Sequence, residues 1–88
     1  MGWTVKFSEE AKRDLKKLDK PVQKRITSFL LERLQNTDNP RAVGKALKGN
    51  LSGLWRYRVG DFRLLCRIED DELIILVIEV GHRKSIYQ

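Results

Sequence analysis

LWRYRVGDFRLL, residues Leu54–Leu65, reads as a β-hairpin. Gly60-Asp61 supplies a two-residue turn with glycine at the first central position, which suits type II′ geometry. A two-residue loop sets the register. Val59 faces Phe62, Arg58 faces Arg63, Tyr57 faces Leu64 and Arg56 faces Leu65. Side chains alternate along a strand, so Trp55, Tyr57, Val59, Phe62 and Leu64 share one face. Arg56, Arg58 and Arg63 fall on the other. Like charges directly opposite one another destabilise a sheet. Folding alone would not select Arg58 against Arg63, whereas a bound anion, most simply a phosphate, would. The alternative is long side chains snorkelling into water from a wet face.

Working outward, Trp3–Phe7 alternates and predicts a first strand. Ser8 follows as a helix N-cap, with Glu9 and Glu10 in the first turn where the helix dipole favours acids. Ala11, Leu15 and Leu18 form one apolar stripe. Pro21 restarts the chain as a second helix to about Gln35, with Val22, Ile26, Phe29, Leu30 and Leu34 facing inward and Leu31 off that stripe. Arg41–Asn50 reads as a loop with one helical turn, from which Lys45 and Lys48 project together. Beyond the hairpin, Asp70-Asp71-Glu72 is a turn into Leu73–Val80, LIILVIEV. Such a run is expected of a central strand covered on both faces. With Ile74, Leu76, Ile78 and Val80 on the core face, Glu79 joins the arginine face opposite Arg63, where an ion pair is expected. Parity brings Arg83 of the tail to the same face.

The predicted fold is α+β, a two-layer domain in the order β-α-α-β-β-β. An antiparallel-dominated four-stranded sheet carries a helical hairpin on one face. All 88 residues fit one domain with a single modest core. The net charge of +6 and a pI near 9.8 point to an anionic partner, nucleic acid above all. Between Arg41 and Arg67 the basic residues are Arg41, Lys45, Lys48, Arg56, Arg58, Arg63 and Arg67, against the acid Asp61. These mark Arg41, Lys45, Lys48 and Arg67 as candidate RNA contacts. Cys66 is the one cysteine, no signal-peptide pattern opens the chain, and no apolar run spans a bilayer. A cytoplasmic protein with no membrane partner is expected.

One histidine and one cysteine do not build a zinc or two-metal site, and no glycine-rich phosphate loop follows a strand. No metal and no small-molecule cofactor are expected. A cationic patch with one histidine and one tyrosine in the tail matches the inventory of metal-free RNA cleavage. The 2′-OH attacks the adjacent phosphate, fixed cations stabilise the developing charge, and two groups move protons.

The element order, the stretch ALKG (46–49), the hairpin LWRYRVGDFRLL and the closing VGHRKSIY (80–87) resemble the bacterial RelE/ParE toxin superfamily, on its RelE-like branch. The resemblance spans almost the whole chain. It implies a toxin that cuts messenger RNA in the ribosomal A site, and a cognate antitoxin that silences it. Carried over, Arg56 and Arg58 stand at the two basic positions of the first hairpin strand. Arg63 matches the arginine after the turn, Arg83 the arginine after Val-Gly, and Tyr87 the tail tyrosine that stacks on a base. Lysines commonly stand where Arg56 and Arg58 are, and arginine stays protonated, so neither serves as a base. His82 replaces a more usual lysine, and histidine is a residue type suited to moving protons. His82 with Glu79 is therefore the expected acid–base arrangement. The alternatives are a ParE-like toxin that inhibits gyrase without cutting RNA, and a non-catalytic RNA-binding module.

Overall fold

The computed structural model describes residues 2–82. Ser8 caps the first helix, its Oγ accepting from Ala11 N at 3.0 Å. Strand β1 is Thr4–Phe7, α1 Glu9–Lys16 and α2 Lys20–Phe29. A single π turn, Leu30–Leu34, prolongs α2, and Gln35 N donates to Leu30 O at 2.9 Å. Gln35 O then accepts from Trp3 N at 2.8 Å, tying the helix end to the entry of β1. The remaining strands are β2 (Lys45–Ala46), β3 (Trp55–Val59), β4 (Phe62–Glu69) and β5 (Ile74–His82).

They form one sheet in the order β1-β5-β4-β3-β2. β1 runs parallel to β5 and the other neighbours pair antiparallel. The architecture is the expected α+β layering, with five strands rather than four among the described residues. The added strand is β2, only two residues long, which alternation cannot reveal. The core lies between the helical hairpin and one sheet face, where Ala11, Ile26, Leu30 and Leu34 meet Tyr57, Leu64, Cys66, Ile75 and Val77. Leu31 lies outside it, 48% exposed. Among the described residues no helix is long and apolar enough to cross a membrane.

The hairpin register is as read, from Val59↔Phe62 through Arg58↔Arg63 to Arg56↔Leu65. Gly60 has φ of 60°, and Asp61 is not among the positive-φ residues, as a type II′ turn requires. The β4–β5 register differs from expectation. Glu69 pairs with Ile74, so four residues make the turn, and Leu73 takes φ of 53°. Ile75 and Val77, not Ile74 and Leu76, therefore enter the core. Leu65 pairs with Glu79 and Cys66 with Val77, so Ile78 is an extra, bulged residue. After it the parity shifts and Val80 turns inward against Leu64.

Candidate nucleic-acid interface

Residues directly opposed in neighbouring antiparallel strands point to the same side. The face away from the helices thus carries two cross-strand rows. One is Lys45–Arg56–Leu65–Glu79, across β2, β3, β4 and β5. The next is Arg58–Arg63–Gly81. Leu65 is buried at 5% exposure, Arg56 and Arg63 are half-buried, and Arg58 is exposed. Half-burial beside an apolar floor lowers the local dielectric and strengthens attraction to an anion.

The edge of this face is a cleft of about 210 Å³ lined by Val43, Gly44, Lys45, Arg56 and Arg58. Gly44 makes it possible. A Cβ there would stand 2.8 Å from Arg56 O and 2.8 Å from Tyr57 Cε1, so only glycine lets β2 lie this close to β3. Lys45 is thereby delivered opposite Arg56. Its place in the row follows from a strand too short to read in the sequence, and Gly44 is its one local signal.

The other predicted residues divide. Arg67 lies on the same face opposite Leu76, with Nη1 3.9 Å from Glu69 Oε2. Lys48 is exposed beyond β2, at the head of a 3₁₀ turn. Arg41 is held elsewhere. Its guanidinium donates to both Asp70 oxygens, at 2.8 and 2.7 Å, and lies 5.8 Å from the Trp55 ring centroid. This bidentate partner keeps the Asp70 carboxyl below the usual carboxylate range. With the Tyr57 hydroxyl donating to Pro40 O at 2.8 Å, the pair pins the Pro40–Ala42 turn to the root of the hairpin.

Glu79 reaches the arginine face as expected but stands opposite Leu65; the position opposite Arg63 belongs to Gly81. The expected register fails because four residues, not three, make the turn and because Ile78 is inserted. Burial, with the nearby Glu10 and Asp14 carboxylates, raises the Glu79 pKa. His82 pairs with Phe62, which puts it on the helix side of the sheet, their rings edge-to-face at 5.7 Å. The structure thus separates His82 from the arginine rows by the thickness of the sheet. Arg83 and Tyr87 lie outside the described residues. Among the described residues no cluster of three or more His, Cys, Asp or Glu side chains is placed to hold a metal ion.

Comparison with known proteins agrees with this fold. The family described as ParE toxin of type II toxin-antitoxin system, parDE, matches residues 5–87. Toxin RelG of Mycobacterium tuberculosis is 36% identical over 88 residues, covering 100% of this chain and 99% of that protein. The chain belongs to the RelE/ParE superfamily of type II toxin–antitoxin toxins. Among solved relatives, the RelBE2 toxin–antitoxin complex of M. tuberculosis superposes with a TM-score of 0.87 at 35% identity, covering 94% of this chain and all of that one. The RelB–RelE complex of Methanococcus jannaschii superposes with a TM-score of 0.71 at 32% identity, covering 94% and 95%.

Proposed function

We propose that this RelE/ParE toxin is a ribosome-dependent endoribonuclease that cuts messenger RNA by 2′-OH attack on the adjacent phosphate, with no metal in the step. The observation that carries this reading is Arg58 opposite Arg63 on a shared face. Two cations held together at a cost in repulsion fit a scissile phosphate whose negative charge grows in the transition state. Arg56 and Lys45, one row away, would hold the neighbouring backbone. Arginine cannot take the 2′ proton. Glu79 shares the row of Arg56, and its raised pKa suits proton transfer, so it is the base favoured among the described residues. Arg83 and Tyr87 retain the roles that the family resemblance gives them, whereas His82, on the helix side of the sheet, is not assigned a proton. Without a strong base, rate depends on an in-line substrate pose that the ribosome supplies.

The solved relatives above are toxin–antitoxin complexes, and the basic face calls for an acidic antitoxin segment to cover it. The match to a ParE family favours one second reading, a gyrase inhibitor with no nuclease activity. Toe-printing of a defined message in a translating extract tests the proposal. The wild-type chain should cut ribosome-bound message and cut naked RNA poorly. Equal rates on both would remove the ribosome dependence. Absence of cleavage with inhibition of DNA supercoiling would establish the second reading instead.

A further inference from the structure

β1 covers the outer edge of β5 only from Ile74 to Val77. Where β1 stops, the bulge begins. From that point the outer edge of β5 is taken up by the loop and helix that follow β1. Ser8 N donates to Val77 O at 2.9 Å, and Ser8 Oγ donates to Ile78 O at 2.7 Å. On the far side of the bulge, Val80 N donates to Asp14 Oδ2 at 3.0 Å. These contacts bracket Ile78-Glu79, the two residues that together oppose Leu65.

The bulge decides what stands on the arginine face. Were β5 regular after Val77, Ile78 would oppose Leu65, Glu79 would oppose the buried Leu64, and Val80 would oppose Arg63. A carboxylate would enter the core, and an isopropyl group would crowd the Arg63 guanidinium. With the bulge, Val80 fills the core, Glu79 lies in the row of Arg56, and Gly81 leaves the position beside Arg63 without a side chain. A bulge leaves backbone groups out of the ladder, and each must find a partner. Ser8 takes up Ile78 O of the bulge, and Asp14 takes up Val80 N just beyond it, on the outer edge that β1 leaves open.

We propose that Asp14, with Ser8, is a positioning residue: it holds the β5 bulge and so sets which side chains flank Arg63 and Arg56. Its effect on catalysis rests on the nuclease reading above; its effect on the strand does not. Asp14→Ala removes the acceptor, and Asp14→Asn keeps an acceptor oxygen without the charge. By amide hydrogen exchange of the antitoxin-free toxin, Val80 in Asp14→Ala should exchange about tenfold faster or more, the scale of one lost hydrogen bond. Nuclear Overhauser contacts between Arg63 and Gly81 should weaken. The single-turnover cleavage rate at saturating ribosomes should fall about tenfold, with half-saturation unchanged. Asp14→Asn should restore all three readouts. Deleting Ile78 allows the Arg63–Gly81 pairing without a bulge, so Asp14→Ala in that background should cost no further rate. Unchanged Val80 exchange in Asp14→Ala, an Asp14→Asn variant as impaired as Asp14→Ala, or no relief on deleting Ile78 would each overturn the assignment. If the wild-type chain cuts no RNA, the nuclease reading fails, while the exchange and cross-strand contacts still decide the role of Asp14.

Discussion

The β3–β4 hairpin and the β4–β5 ladder are neighbours in one sheet, yet their registers are set in different ways. In the hairpin a two-residue turn at Gly60-Asp61 dictates every opposition, and the arginines are locked into place locally. In β4–β5 the turn is longer, Leu73 is forced to φ of 53°, and a bulge corrects the parity part-way along. There the pairing is fixed from outside, by α1. Local geometry places the arginines, and tertiary contact meets the residues around them.

The largest effect should come from breaking the hairpin's arginine pair. Arg58→Ala or Arg63→Ala should lower single-turnover cleavage of ribosome-bound message by about 10²-fold or more, the scale of losing one charge-stabilising donor. Chemical denaturation should show stability unchanged or slightly improved, since repulsion is relieved. An Arg63→Ala chain that unfolds yet still cuts would make the pair structural.

Next comes the cleft wall. Gly44→Ala drives a methyl group into Arg56 O and the Tyr57 ring, and overpacking of this kind costs about 1–3 kcal/mol. Urea denaturation should show that loss, and RNA affinity should fall with it as β2 and Lys45 lift from β3. A Gly44→Ala variant of wild-type stability would mean that β2 docks more loosely than its register implies.

The loose end offers the reverse experiment. Leu73 is 39% exposed and sits in left-handed backbone, so Leu73→Gly gives up little packing and relieves strain. A gain of up to about 1 kcal/mol is expected, seen as a raised thermal midpoint. A loss instead would show that the Leu73 side chain anchors the turn.

The smallest effect separates Glu79 from its carboxylate neighbours. Its pKa is raised in the folded chain, so its ionised form opposes folding above the ordinary glutamate range. Glu79→Gln should therefore stabilise by a few tenths of a kcal/mol at about pH 7, the scale of exposed charge pairs. As pH falls below about 4, both states of the wild type are protonated and the difference should vanish. A constant difference across pH would assign the effect to packing.

What could be read in advance follows the same division. Alternation and a glycine turn are local, so the hairpin, both helices and the shared face of Arg56, Arg58 and Arg63 were legible. LIILVIEV is apolar at nearly every position, so it offers no parity to read, and the opposition of Arg63 to Gly81 escaped. β2 is too short for a pattern. Arg41 looked like one more cation of the patch because its partner, Asp70, lies 29 residues further on.

The two outer strands of the sheet have a consequence for how these molecules meet one another. β1 is four residues long and β2 only two, and each carries an exposed lysine, Lys6 and Lys45. Short, charged rims discourage strand-to-strand stacking between copies. Without β2, the five-residue strand β3 would itself be a rim, rich in aromatic and β-branched residues and open to pairing with a second chain. The same lysine that stands opposite Arg56 therefore also disfavours growth of this sheet beyond one molecule.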